Sequence, residues 1–175
     1  MNNRDVKMKK ILVFISSIAA SIGVSAGSLG AGVSVNNWSD IDSGYGDLTV
    51  NIPTLNFTYE NRLDNNLAYQ AKIGFGLSDD SDNDDDGDSY EIEIKNLIQL
   101  KGMYFFSENV YGAVTYTRFD AEVYSEYEDE SFSDSDNDFG FSLGYKLDNL
   151  DFHVGQTYSD GDAGDNIEFG FTYFF

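Results

Sequence analysis

The sequence contains no cysteine, one proline, one histidine and one tryptophan among its 175 residues. The absence of cysteine excludes a disulfide framework and thiolate metal sites. A single histidine leaves little room for nucleophilic catalysis, in which a base must stand beside a nucleophile. Basic residues are scarce, 10 against 31 acidic ones. That balance argues against a nucleic-acid partner, whose phosphates would repel the chain.

The chain also lacks an apolar run that could comfortably cross a bilayer as a helix. The longest run, Ile11–Val24, is too short and is interrupted by serine and glycine. Two lysines precede it, and Val24-Ser25-Ala26 supplies small residues at the −3 and −1 positions of a cleavage site. We therefore predict a signal peptide over residues 1–26, Sec-dependent export, and a mature domain over residues 27–175.

Aromatic residues are abundant, with 14 Phe and 12 Tyr beside 17 Gly, which is too aromatic a composition for a disordered chain. The last nine residues alternate strictly. Ile167, Phe169, Phe171, Tyr173 and Phe175 share one face, and Glu168, Gly170, Thr172 and Phe174 share the other. A period of two predicts a β-strand with one wholly apolar face.

The same alternation recurs along the mature chain and predicts eight strands. Each is roughly nine to eleven residues through its core, the length that a tilted strand needs to cross a bilayer. Long acidic connections follow the odd strands and short turns follow the even ones, which in a meander puts every long loop on one side. The predicted strands are 29–35, 48–60, 67–77, 90–105, 110–119, 139–147, 150–158 and 167–175.

We predict an all-β fold, an eight-stranded antiparallel up-and-down transmembrane β-barrel. One row of each strand is bulky and almost uncharged, whereas a charge facing lipid costs about 2–4 kcal/mol at the midplane. The pattern therefore favours lipid outside over a soluble lipocalin-like barrel, which would be apolar inside. Eight strands leave just enough interior for side chains. We predict that an ion-pair network fills it: Glu60, Lys72, Glu91, Glu93, Lys95, Lys101, Lys146 and Glu168.

Two finer predictions concern the faces of the strands. The alternation in the second strand slips by one at Pro53, which we attribute to a bulge that leaves Leu48, Val50 and Ile52 facing outward. In the fourth strand, Tyr90, Ile92 and Ile94 share the outward row with Ile98, Leu100 and Tyr104. Aromatic side chains are expected at both membrane interfaces. They are Trp38, Tyr90, Phe139 and Tyr158 at one end, and Tyr59, Tyr104, Tyr145 and Tyr173 at the other.

With its leader, its eight alternating strands and its terminal aromatic residue, the chain resembles the small OmpA/OmpX-type outer-membrane β-barrels, in particular the barrel-only members. In that family the barrel-assembly machinery reads the final strand, and Phe169, Phe171, Tyr173 and Phe175 match the signature. The resemblance implies a monomer in the outer membrane of a Gram-negative envelope. Its neighbours would be membrane lipid and lipopolysaccharide.

One acidic segment matches the spacing of an EF-hand loop, with Asp82, Asp84, Asp86 and Gly87 leading to Glu93 at the twelfth position. An EF-hand requires flanking helices, however, and the flanks here are predicted strands. Seven aspartates between Asp79 and Asp88 also produce such a match easily by chance. Weak capture of Ca²⁺ or Mg²⁺ by Asp82, Asp84 and Asp86 and a plain solvated loop are the two hypotheses left, and no other cofactor is expected.

The sequence contains no catalytic signature. Small barrel deacylases resemble this chain in size, but they use a His-x-Ser pair and here Gly155 stands two residues after His153. We expect a structural or surface-interaction role without catalysis. That role would be envelope integrity, contacts, or weak divalent-cation binding through the long acidic extracellular loops. The alternative is a narrow, cation-permeable, porin-like channel.

Overall fold

The computed structural model describes residues 27–42, 47–83, 89–125, 130–159 and 164–175. The predicted signal peptide lies outside the described residues, as do Asp84 and Asp86. In the described ranges there is no helix suited to spanning a bilayer. The strands are β1 Ser28–Asp42, β2 Asp47–Arg62, β3 Leu67–Gly76, β4 Asp80–Asn83, β5 Ser89–Phe105, β6 Val110–Ser125, β7 Glu130–Leu147, β8 Leu150–Tyr158 and β9 Asp165–Phe174.

The strands close into a barrel in which each long strand is antiparallel to its neighbours. The first and last strands pair from Gly30↔Phe174 to Ser39↔Asp165, and β3 pairs with β5 from Leu67↔Tyr104 to Gly74↔Leu97. The short β4 pairs with β5 at the place that β3 has left. Because β3 and β4 pair one after the other with β5, the nine strands occupy eight positions around the barrel, and the predicted fold, a closed eight-stranded antiparallel barrel, is confirmed.

The two ends of the barrel differ. At the turn end the connections are tight: Asp64 Oδ1 accepts hydrogen bonds from the backbone N–H groups of Asn66 and Leu67, each at 2.7 Å. Asp148, between β7 and β8, has a φ of 51°, a conformation that Asp tolerates better than most residues. At the loop end β1, β6 and β7 continue well beyond the predicted bounds. We call the loop end of the barrel the rim: residues 37–42, 47–52, 80–83, 89–96, 118–125 and 130–138.

Below the rim, large apolar side chains cover the outside of the barrel. Phe141 is 66% exposed, Leu143 60% and Phe169 60%. Apolar exposure on this scale indicates a surface that is covered by something other than water. We call this length of the barrel the belt, and its outward apolar rows lie on β1–β3 and β5–β9.

In the rim the arrangement is reversed. Outward residues there, such as Asn51, Glu91, Lys95 and Ser133, are polar and exposed. The inward residues there, together with Leu97 directly below them, form an apolar cluster that fills the barrel, because burial away from water stabilises them. We call this cluster the plug: Trp38, Leu48, Val50, Ile52, Tyr90, Ile92, Ile94, Leu97, Phe119 and Ala121.

The predicted slip at Pro53 is wrong. The pairing of β2 with β1 continues in one register from Glu60 to Val50, so Leu48, Val50 and Ile52 face inward and belong to the plug. Pro53 O accepts a hydrogen bond from Leu77 N on the β3 side. A strand residue directs its N–H and C=O to the same side, so the proline ring nitrogen faces the edge where β3 ends, and no ladder bond to β1 is lost.

The predicted outward row of the fourth strand is correct for one half and wrong for the other. A register shift between Ile94 and Asn96 inserts one residue into β5. Such a bulge moves the following side chains to the opposite face. Ile98, Leu100 and Tyr104 therefore face outward, whereas the three residues before the bulge that we expected beside them face inward: Tyr90, Ile92 and Ile94.

Candidate functional site

A band of polar side chains fills the barrel below the plug. Lys72 on β3 forms a buried ion pair with Glu168 on β9. The other carboxylate oxygen of Glu168 accepts from Gln99 Nε2 at 3.0 Å, and His153 Nε2 lies 3.4 Å from Glu168 Oε1. Four strands are thus connected through one carboxylate, which satisfies a buried charge that would otherwise be unfavourable.

A second buried ion-pair group lies nearer the turn end. Lys146 Nζ contacts Glu60 Oε2 at 2.6 Å and Asp151 Oδ2 at 3.2 Å. Gln70 donates to both carboxylates, at 2.7 and 2.9 Å, and the Tyr111 hydroxyl donates to Asp151 at 2.8 Å. Below it, a lower apolar cluster closes the interior: Ala68, Met103, Phe105, Tyr111 and Ala113.

Two inward glycines make room for these side chains in the narrow barrel. A Cβ added at Gly144 would stand 2.1 Å from the Tyr111 ring, and one at Gly170 would stand 2.3 Å from the His153 ring. Real Cβ atoms do not approach so closely, so each ring occupies space that only glycine leaves open. The small residues of the inward rows therefore leave the space that the large inward side chains occupy.

Of the eight residues predicted to share the interior, the structure brings five inside: Glu60, Lys72, Lys101, Lys146 and Glu168. Lys101 is 3% exposed and lies opposite Gln70 and Thr115 on the adjacent strands. Glu91, Glu93 and Lys95 are instead on the outer face of the rim, because the bulge in β5 separates their row from that of Lys101.

The outer face of the rim has a charged group of its own. Lys95 Nζ contacts Glu93 at 2.5 Å and Glu122 at 2.6 Å. Hydrogen bonds to Glu122 and then to Glu93 raise the pKa of Lys95, so the lysine stays charged at neutral pH. Arg118 lies 3.9 Å from Asp120 on the same face. These pairs are largely solvated, and each contributes little to stability.

Asp82 is the one residue of the predicted cation site that lies in the described ranges, and both of its carboxylate oxygens already accept hydrogen bonds from backbone N–H groups. Asp82 Oδ2 accepts from Thr49 N at 2.8 Å and its Oδ1 accepts from Asn83 N at 2.9 Å. Asp80 accepts from Asn51 N at 2.6 Å. These two carboxylates cover the edge of β2 that β3 leaves unpaired. Cation capture by Asp82, Asp84 and Asp86 stays a prediction, since two of the three lie outside the described residues.

A further acidic residue, Asp138, lies inside the barrel where the belt meets the rim. It is completely buried, and Thr157 donates to its Oδ2 at 3.3 Å. Burial raises the pKa of Asp138 to about 7, and the charges of Asp136 and Asp165 act in the same direction. A carboxyl group with such a pKa is poised between its charged and neutral forms near neutral pH.

The chain is similar to known proteins in its structure. No protein-family model and no curated protein sequence matches the chain. Ail, the attachment invasion locus protein of Yersinia pestis, superposes with a TM-score of 0.54 at 17% identity, over 85% of this chain and 97% of Ail. The structure of Neisserial surface protein A gives a TM-score of 0.49 at 11% identity, over 86% of this chain and 98% of that one.

The chain has the fold of the small eight-stranded outer-membrane barrels. In this outer-membrane barrel fold, β9 is the strand that closes the structure against β1. The four aromatic residues of the predicted assembly signal all lie on its outward row: Phe169, Phe171, Tyr173 and Phe175. Phe171 packs against Phe152 with ring centroids 5.2 Å apart. That the assembly machinery recognises these residues stays a prediction.

Several interior residues of the barrel were not predicted from the sequence. Asp151 stands two residues before His153 on one inward row, so extending the period of two by one step would have found it. Asp138 precedes the predicted start of its strand and was assigned to a loop. Gln70, Gln99 and Tyr111 lie on inward rows, but the carboxylates of Asp151 and Glu168 to which they donate are 40 to 81 residues away in the sequence.

Proposed function

We propose that this protein is a closed, non-catalytic outer-membrane barrel that holds a rigid acidic rim at the cell surface, where it contributes to envelope integrity and makes contacts. The observation that carries the proposal is the reversal of polarity along continuous strands. In β6, Val114 and Tyr116 face outward in the belt, and Arg118 and Asp120 follow them on the same outward row in the rim.

This reversal fits a strand that leaves lipid and enters water. Lipid favours apolar residues outside, and water favours them inside. The fold shared with Ail supports an outer-membrane location. In the proposed orientation the rim is extracellular, and the turn end with Phe175 lies at the periplasmic side.

The interior supports a closed barrel over the alternative of a cation channel. An ion moving along the axis would meet the plug at one end and the lower apolar cluster at the other. It would have to shed its hydration in both, without polar ligands to replace the water. In planar bilayers we expect no reproducible conductance steps, and clear steps would favour the channel.

The charge of the rim indicates the kind of contact. The rim ranges contain 13 acidic residues and two basic ones, Lys95 and Arg118, and a surface of one sign attracts partners of the opposite sign. Ail has been solved in complex with the heparin analogue sucrose octasulfate. We expect the present chain, by contrast, to reject sulfated polyanions and to retain basic peptides in a salt-dependent manner. Equal retention of both would contradict this part of the proposal.

Cysteine labelling on intact cells tests the proposed location and orientation directly, because the chain has no cysteine of its own. Ser133→Cys lies on the outward row of β7 in the rim, and Leu143→Cys lies on the same row in the belt. A membrane-impermeant maleimide should label the first variant and not the second. Labelling of both, or labelling of Ser133→Cys only after lysis, would contradict the proposal.

A further inference from the structure

Two buried oxygen atoms at the boundary of belt and plug have no hydrogen-bond partner among the described residues. They are Asp138 Oδ1 and Asn166 Oδ1, on side chains that are 0% and 2% exposed. A carboxylate and an amide oxygen are both acceptors. Buried polar atoms are almost always satisfied, so unpaired acceptors indicate a missing donor or cation.

The register of the strands brings these atoms to one region of the interior. Thr157 on β8 is directly opposite Asn166 on β9, and its hydroxyl donates to Asp138 Oδ2 on β7 at 3.3 Å. All three side chains are buried on inward rows. Thr157 thus contacts Asp138 through its hydroxyl and pairs with Asn166 in the strand register, so the three residues lie on neighbouring strands.

The surroundings are negative. Asp136, two residues before Asp138, accepts from Asn137 N at 2.6 Å and from the Ser159 hydroxyl, and Asp165 precedes Asn166. Among the described residues, no salt bridge includes Asp136, Asp138 or Asp165, and the ion pairs that do form lie in the polar band or on the outer face of the rim. The carboxylates at this level thus have oxygen neighbours and no basic partner within the described ranges.

We propose that Asp138, Thr157 and Asn166 form a binding site for Ca²⁺, with Asp136 and Asp165 adding negative charge around it. Carboxylate, hydroxyl and amide oxygens are the ligands that this hard cation takes. In the described ranges, no three acidic or histidine side chains could hold a metal by themselves, so neutral oxygens and water complete the shell. We expect weak binding, with half-saturation at about 0.1–1 mM.

The test uses the mature chain refolded in detergent micelles and titrated with Ca²⁺ or with Tb³⁺, which prefers the same ligands. Trp38, the one tryptophan of the sequence, stands two residues from Asn36, whose Oδ1 accepts from Asn166. We expect saturable terbium emission on tryptophan excitation, displaced by Ca²⁺, and a higher unfolding temperature with Ca²⁺. No response up to about 10 mM would overturn the proposal and favour a proton shared between the two oxygens.

Variants assign the response to a site. Asp138→Asn should abolish it, whereas the matched control Asp148→Asn, at the opposite end of the barrel, should preserve it. Asn166→Asp adds a second carboxylate and should tighten Ca²⁺ binding several-fold, which keeps the test valid if Asp138→Asn does not fold. A response that survives Asp138→Asn, or that disappears only when Asp82, Asp84 and Asp86 are replaced by Asn, would overturn the proposal in favour of the acidic loop.

Discussion

The belt and the rim are two lengths of the same strands with opposite polarity. On the inward row of β6, Thr115 and Thr117 in the belt give way to Phe119 and Ala121 in the rim. The register with β7 is continuous across this boundary. The backbone therefore does not distinguish the two regions. What differs is the surrounding medium, which decides the face on which apolar side chains are stable.

The largest expected difference between the two regions concerns ion pairs. Glu168→Gln leaves Lys72 as an unpaired charge in the interior of the belt, and we expect a loss of about 3–5 kcal/mol in the free energy of unfolding. The matched change Glu122→Gln removes a solvated partner of Lys95 and should cost about 0–1 kcal/mol. Urea unfolding in lipid vesicles measures both. Equal losses in the free energy of unfolding would mean that water solvates the interior ion pairs.

A charge placed on the outward row of β7 should also change the stability of the barrel much more in the belt than in the rim. Leu143→Arg faces lipid near the middle of the belt and should cost about 2–4 kcal/mol. Ser133→Arg lies on the same row in the rim, opposite Glu122, and should change stability by less than about 0.5 kcal/mol. Comparison of heated and unheated samples on a gel reports the folded fraction. Tolerance of arginine at both positions would refute a lipid-covered belt.

Truncation of two leucines in β5 compares the plug with the belt. Leu97 is 1% exposed and Leu100 is 50% exposed. Both lose the same transfer free energy on replacement by alanine, but a cavity remains at position 97, whereas lipid chains fill the space at position 100. We expect Leu97→Ala to be the more destabilising by about 1–2 kcal/mol. A greater loss for Leu100→Ala in the same unfolding assay would show the plug to be loosely packed.

The smallest expected effect is at Pro53, on the boundary of the two regions. Since its ring nitrogen faces the edge that β3 leaves, Pro53→Thr breaks no ladder bond, and only the flexibility of the unfolded chain increases. The expected loss is about 0.4–1 kcal/mol. A gain in stability would indicate that the proline strains β2, as the bulge predicted from the sequence would have done.

Most of the belt could be predicted from the sequence, and most of the rim could not. In β3 and β9 one medium covers the whole outward row, so the alternation is uniform and each residue from Leu67 to Phe75 could be assigned to its correct face. In β2 the polarity reverses at Pro53 and resembles a phase slip. The bulge at Lys95 in β5 does shift the alternation by one residue, but the sequence did not reveal it, because apolar residues occupy even positions on both sides of the bulge.

For the interior network, the sequence predicts which residues face inward but not which of them form pairs. Membership of an inward row follows from a period of two, and Lys72, Lys101, Lys146 and Glu168 were placed correctly by it. Pairing does not follow, because the partners Lys72 and Glu168 are 96 residues apart in sequence. Only the closure of the barrel brings them together.

The number of barrel positions, the antiparallel meander and the apolar belt follow from the sequence, because alternation and connection length are local properties of the chain. Where the belt ends, which buried charges meet, and that Trp38 and Tyr90 fill a plug instead of an interfacial girdle become visible only in the folded barrel. An alternating strand has two faces, and its own residues do not specify which face meets the interior. Neighbouring strands and the surrounding medium settle that choice.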